Sequence, residues 1–176
     1  MTNSELPMGI PSVDLSFFIN GTSEQKQQFV NELGKAYEDI GFVAVKNPLI
    51  SDELIAQLYE IVEAFYNLPT ETKLKYERTE LAGQRGYTGF GKEHAKDSNA
   101  GDLKEFWHFG QEVTDGDPIK EKYPANIHVE ELPNFFNVGM KAYKELENTG
   151  KFLLRAIALH LGLEENWFDA HIHNGN

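Results

Sequence analysis

The chain runs out on Asp169-Ala-His-Ile-His-Asn-Gly-Asn176. Two imidazoles one residue apart, with a carboxylate two residues before the first, are residue types that bind divalent metals. Chelation by Asp169, His171 and His173 needs extended backbone, because only there do residues i, i+2 and i+4 share a face. On a helix the same side chains diverge. Without a further ligand the spacing is weak evidence. The competing reading packs His171 beside Trp167 and Phe168 and leaves His173 at the surface, and we expect no metal site here.

Other chemistry-bearing residues divide the same way. Glu93, His94 and Asp97 form a carboxylate–histidine cluster, but in a glycine-rich loop, where a solvated face is expected. His160 falls on the apolar side of a helix and reads as a core or interface histidine. His108 alternates with Phe106, and packing is its expected role. Lys104 and Glu105 read as a structural ion pair at a strand edge. Arg85 and Tyr87 stand out: a guanidinium offers a planar fork for a carboxylate, and a phenol adds a donor on a rigid ring. The alternative for Arg85 is pairing with one of the nearby acids. We expect Arg85 and Tyr87 as substrate-binding residues and no catalytic residue in the chain.

These side chains need elements to place them. Ile10–Ser16 reads as an extended entry segment. Thr22 with Gln25 forms a capping box for a helix whose face carries Phe29, Leu33, Tyr37 and Ile40, with Gly41 as its stop. Phe42–Val45 is a short apolar run, expected as a buried strand. Ser51 caps a second helix with Asp52 and Glu53 in its first turn and a stripe of Leu54, Ile55, Leu58, Ile61, Val62 and Phe65. Pro69 starts a short helical piece to about Tyr76. Residues 80–101 carry five glycines and read as a long loop. Leu103–Phe109 alternates as a strand, with Trp107 and Phe109 on one face. Phe135, Val138, Ala142, Leu146, Thr149, Leu153, Ile157 and His160 step by three or four, which gives a helix over 133–161, about 40 Å long at ~1.5 Å per residue. Gly162 ends it, and 164–171 reads as one more short helix with Trp167 and Phe168 turned inward.

Length and charge bound the function. The 176 residues suit one domain. Asp and Glu outnumber Lys and Arg 28 to 16, which argues against nucleic acid and anionic membrane as partners. There is no cysteine, hence no disulfide or thiolate site, and a reducing, cytoplasmic setting is expected. No apolar run approaches the ~20 residues of a membrane-spanning helix. The first residues lack the basic and apolar regions of a secretory signal. The elements are out of balance: a long striped helix needs a broad partner, normally a sheet, and only two or three short strands are in sight.

Five stretches in register resemble one family. Ile10-Pro-Ser-Val-Asp-Leu15 is similar to the opening of the isopenicillin N synthase-like, iron(II)- and 2-oxoglutarate-dependent oxygenases. Gly41-Phe-Val-Ala-Val-Lys-Asn-Pro-Leu-Ile50 resembles that family's first strand and turn, with Pro48 where a histidine is frequent. Phe65-Tyr-Asn-Leu-Pro-Thr-Glu-Thr-Lys73 resembles its "F-F-x-L-P-x-E-x-K" segment. Arg85-Gly-Tyr-Thr-Gly-Phe-Gly91 with Asp102-Leu-Lys-Glu-Phe-Trp-His-Phe-Gly110 resembles its "G-Y...G...D-x-K-E" block, and Leu161-Gly-Leu-Glu-Glu-Asn-Trp-Phe168 the stretch before its core.

The resemblance implies an α+β fold: the helix-rich N-terminal region, residues 1–176, of a double-stranded β-helix (jelly-roll) oxygenase whose jelly-roll core is largely missing from this chain. It implies iron(II) and 2-oxoglutarate for the parent protein, a small-molecule substrate, and the protein's own C-terminal core as partner. It places the Arg85–Tyr87 loop near the substrate mouth. The family's H-x-D...H iron motif and R-x-S 2-oxoglutarate motif are both absent, so the chain alone is expected to bind neither cofactor and to be inactive. Two other readings stand beside this one. One is a non-catalytic helical interaction module derived from the oxygenase lid; the other is a small metal hydrolase on His171, His173 and Asp169.

Overall fold

The computed structural model describes residues 9–94, 96 and 100–172. The chain is α+β and divides into two compact units: residues through Ile50 together with those from Glu145, and Ser51–Lys144.

In the first unit, strands β1 (Ser12–Asp14) and β2 (Ala44–Lys46) pair in parallel with Val13 opposite Val45. Asp14 then caps helix α1 (Leu15–Asn20), its carboxylate accepting from the Ser16 backbone N–H at 3.0 Å. The same carboxylate receives Asn47 Nδ2 at 2.9 Å. Asn47 sits at φ 50°, a left-handed conformation that asparagine tolerates better than most residues. The Asp14 and Asn47 positions of two family-like motifs are therefore one joint, which ties the start of α1 to the end of β2. Hydrogen bonds from Ser16 and Asn47 hold the Asp14 carboxyl below its ordinary range.

Helix α2 (Ser23–Asp39) has the expected capping box, Thr22 with Gln25. It buries Phe29, Val30 and Leu33 against Val13, Leu15, Phe18 and Ala156. Tyr37, on the same predicted face, is 42% exposed. The predicted buried strand at Phe42–Val45 is corrected: Phe42 is 67% exposed, and β2 starts only at Ala44. Its one neighbouring strand among the described residues is β1, too little to cover an apolar run.

Helix α5 (Phe135–His160) is about 39 Å long at ~1.5 Å per residue. Within the first unit Phe152, Leu153, Ala156 and Ile157 join the core, and Thr149 Oγ1 accepts the Leu49 N–H at 3.0 Å. Leu146 is 54% exposed, so the predicted stripe is broken there. His160 packs as expected. Its ring lies on Gly34 of α2, where a Cβ would stand 2.2 Å from it, and Nε2 is 2.9 Å from Glu38 Oε1. Gly34→Ala is expected to lower stability by about 1–3 kcal/mol through overpacking, read as a lower urea midpoint at unchanged m.

Gly162 ends the helix at φ 72°. Residues 164–171 form successive i→i+3 turns rather than the expected helix. Trp167 is 44% exposed, not inward, and stacks on His171.

In the second unit, Ser51 caps α3 (Asp52–Tyr66), accepting the Leu54 N–H at 3.2 Å. Leu54 and Phe65 are buried, and Ile61 and Val62 pack on the core beside Phe65. Short helix α4 (Thr70–Leu74) follows Pro69. The predicted loop 80–101 holds a 3-10 turn at Thr79–Leu81 and strand β3 (Gly86–Thr88). β3 pairs antiparallel with β4 (Phe106–His108), Tyr87 opposite Trp107. The strand expected over Leu103–Phe109 is thus shortened, with Leu103 94% exposed. Its alternation still sends Trp107 and Phe109 to one side, where they join Phe65, Tyr76, Tyr87 and Phe135 in one aromatic core.

No helix among the described residues is long and apolar enough to cross a membrane.

Candidate functional site

The β3–β4 ribbon and the residue leading into it carry the two side chains singled out from the sequence. Tyr87 is buried, its ring 5.8 Å from that of Phe65. Its hydroxyl donates to Glu105 Oε2 at 2.6 Å. Lys73 Nζ donates to both Glu105 oxygens, at 3.0 and 2.8 Å, and to the Tyr66 carbonyl at 3.0 Å. One carboxylate thus holds an ammonium and a phenol together inside the unit. Burial first, then the Glu105 carboxylate, pushes the Tyr87 hydroxyl far above its ordinary range. It stays a donor at any physiological pH.

The expected Lys104–Glu105 pair is corrected. Neighbours in extended chain point to opposite faces. Glu105 turns inward to Lys73, and Lys104 turns outward to Glu93 Oε2 (2.8 Å) and Asp102 Oδ2 (3.3 Å). Lys73 and Glu105 are 32 residues apart, and nothing in the sequence marks them as partners beyond two charges in family-like segments.

Arg85 lies two residues before Tyr87 and is 4% exposed. Nη1 donates to the Gln84 carbonyl at 2.7 Å. Nε and Nη2 are buried with no hydrogen-bond partner among the described residues, so the expected alternative, pairing with a nearby acid, is not what they do. Trp107 Nε1 is a third such donor. The guanidinium lies on Gly110, where a Cβ would fall 1.7 Å from Cζ. Asn126 brackets that glycine: Oδ1 accepts its N–H and Nδ2 donates to its carbonyl, both at 2.8 Å. Asn126 was missed from the sequence because nothing local marks it. Gly110→Ala is expected to displace the guanidinium and cost about 1–3 kcal/mol, measured by urea unfolding.

The remaining candidates are placed elsewhere. His108 is exposed, with Nδ1 2.5 Å from the Gly83 carbonyl and its ring against Phe106. Glu93 pairs with Lys104 as above, while Asp97 lies outside the described residues. Asp169 is taken by Arg155, Nη2 to Oδ2 at 2.6 Å, with Lys151 at 3.5 Å. His171 Nδ1 is 3.1 Å from the Trp167 carbonyl, and its ring stacks on Trp167 at 4.4 Å. His173 lies outside the described residues. Arg155 holds the Asp169 carboxyl below its ordinary range. That contribution is complete above the unfolded value, about 3.9, and is lost as pH falls through the lower folded value. Asp169→Asn should therefore flatten the loss of stability between about pH 5 and pH 2, measured as urea midpoints.

Comparison with known proteins decides the family. The model described as "non-haem dioxygenase in morphine synthesis N-terminal" matches residues 10–141. The chain belongs to this non-haem dioxygenase N-terminal family. A 2-oxoglutarate-dependent dioxygenase of Dothideomycetidae sp. (strain 11243) is 29% identical over 170 residues, covering 89% of this chain and 48% of the relative. A 1-aminocyclopropane-1-carboxylate oxidase of Dictyostelium mucoroides is 28% identical over 169 residues, covering 90% and 44%. Among solved structures, a 2OG-Fe(II) oxygenase family protein of Caulobacter crescentus superposes with TM-score 0.81 at 32% identity, over 92% of this chain and 51% of that one. A full-length Neurospora crassa protein, solved in complex with alpha-KG and thymine, superposes with TM-score 0.74 at 25% identity, over 97% and 53%. The dioxygenase N-terminal chain spans about half the length of the curated relatives it matches.

Iron(II) in such oxygenases is held by two histidines and a carboxylate on one face. The described residues do not fit that donor set. Asp169 is held by Arg155, His171 by the Trp167 carbonyl and His160 by Glu38, and no three metal-ligating side chains come together among them.

Proposed function

We propose that this chain is the N-terminal half of an iron(II)- and 2-oxoglutarate-dependent oxygenase that oxidises a small organic substrate. The family match over residues 10–141, on a chain half as long as its relatives, carries this reading. The iron and 2-oxoglutarate sites belong to a jelly-roll core beyond these residues, and that core is the chain's partner. The chain supplies support and part of the substrate entrance. Arg85 serves the substrate from the residue leading into β3, and Tyr87, its hydroxyl held by Glu105 and its ring in the aromatic core, backs the ribbon behind it. The chain alone turns nothing over.

The test is succinate formation from 2-oxoglutarate with iron(II) and oxygen. Full-length protein should form it and the 176-residue chain should not. Turnover by the short chain would place the iron site within it; none by full-length protein across acidic, pyrimidine and peptide substrates would favour the non-catalytic module. That second reading rests on Leu146 and Leu161, exposed along and just beyond α5 at 54% and 60%.

A further inference from the structure

We propose that Trp107, Tyr76 and Glu131 form a one-electron relay, in which an oxidised Trp107 ring takes an electron from Tyr76 while the phenolic proton passes to Glu131. The relay lies within the second unit and does not depend on where iron binds.

The Trp107 and Tyr76 ring centroids are 6.1 Å apart, within the range of packed aromatic pairs. Electron exchange falls off steeply with separation, so packed rings exchange far faster than distant ones. Phe65 and Phe135 also pack on Trp107, at 4.9 Å each, but a phenyl ring is much harder to oxidise than a phenol or an indole.

Proton acceptors give the relay its direction. Trp107 Nε1 is buried with no hydrogen-bond partner among the described residues. An oxidised indole held there keeps its proton and stays a radical cation, the more strongly oxidising form. The Tyr76 hydroxyl instead donates to Glu131 Oε2 and accepts the Glu130 N–H at 2.9 Å. A phenol that loses an electron becomes a strong acid, and the carboxylate already on its hydrogen takes the proton. The hole therefore runs from Trp107 to Tyr76.

Tyr87 is also bonded to a carboxylate, but it is the poorer terminus. Both oxygens of Glu105 already accept from the Lys73 ammonium, which lowers that carboxylate's proton affinity. Lys75 stands farther from Glu131, at 3.5 Å, and the Glu131 side chain is 32% exposed. The Tyr76–Glu131 end is thus the one that a dissolved reductant reaches.

A diffusing inorganic radical of the carbonate-radical class takes one electron from half-buried Trp107 and becomes its anion. Tyr76 gives one electron to Trp107 and one proton to Glu131, which leaves a neutral phenoxyl radical beside a carboxylic acid. A one-electron reductant of the ascorbate class refills Tyr76, and Glu131 returns the proton. Oxidising equivalents leave the aromatic core by this route without altering it.

The experiment oxidises full-length protein with the azide radical, generated by pulse radiolysis, which attacks indole ahead of phenol. The tryptophanyl and tyrosyl absorption bands are followed in time. The expected result is decay of the first into the second at a rate independent of protein concentration. The fastest phase of this conversion should be lost in Trp107→Phe and in Tyr76→Phe, kept in Tyr87→Phe, and slowed in Glu131→Gln. Phenylalanine keeps a ring in the core, and Glu131→Gln alters only a partly exposed side chain, so near-UV circular dichroism separates folding from relay. A merely structural role for these residues would leave the conversion unmoved. Wild-type protein alone can overturn the proposal, by showing no conversion or one whose rate rises with protein concentration. A fastest phase that persists in Trp107→Phe or Tyr76→Phe, or is equally fast in Glu131→Gln, also overturns it. Succinate formation is read separately and bears on the oxygenase reading alone.

Discussion

Glu105→Ala is expected to destabilise the protein by about 3–5 kcal/mol, the cost of removing one partner from a buried ion pair. The side chains of Lys73 and Glu105 are only 7% and 15% exposed, so this is not a surface bridge of about 0–1 kcal/mol. Alanine leaves the Lys73 ammonium with the Tyr66 carbonyl and the Tyr87 ring but no counter-charge, and strips the Tyr87 hydroxyl of its acceptor. Two controls separate these losses. Tyr87→Phe removes a single hydrogen bond and should cost about 0.5–1.5 kcal/mol. The double variant Lys73→Met/Glu105→Leu removes both charges and should recover most of the loss, because the larger part of it is the stranded ammonium. Urea unfolding of the four proteins at one pH measures all three effects. A Glu105→Ala loss under about 1 kcal/mol would mean that water reaches Lys73 and that the pair does not set the geometry of Tyr87.

Phe65→Ala should be comparably damaging, at about 3–5 kcal/mol. The ring is fully buried. Its centroid lies 4.9 Å from Trp107, 5.1 Å from Phe135, 5.8 Å from Tyr87 and 6.3 Å from Tyr76. Trp107 and Tyr87 face each other across β3 and β4, so the last residues of α3 anchor the ribbon next to Arg85. Deleting the ring opens a cavity among large rigid rings, which collapse into it poorly. Near-UV circular dichroism should weaken along with the urea midpoint. A loss below about 2 kcal/mol with an unchanged near-UV spectrum would show that the neighbouring rings close the gap.

Caps and helix stops were readable from the sequence because they are local. Thr22 with Gln25, Ser51 with Leu54, and the glycines at 41 and 162 act within a few residues of themselves. Trp107 and Phe109 were readable because the period of a strand is two. What escaped was long-range. β3 is three residues among glycines, and only pairing with β4, some 20 positions on, makes it a strand. Lys104 and Glu105 look like a pair in the sequence, but backbone alternation sends one out to Glu93 and the other in to Lys73. Phe42 looks buried because it is apolar, yet it is 67% exposed. Arg85 and Tyr87 could be named from their types. That Glu105 turns in to Lys73 and Tyr87, and that Asn126 brackets the glycine under Arg85, needed coordinates.

The central claim is that these residues are half of an oxygenase, and the intact mass of the protein in its native cell tests it most directly. Relatives about twice as long imply a mass near double that of the chain. A mass well above 20.0 kDa, from a polypeptide that continues past Asn176 into H-x-D and R-x-S motifs, is the expected result. A mass of 20.0 kDa would contradict it and leave the helical interaction module as the reading.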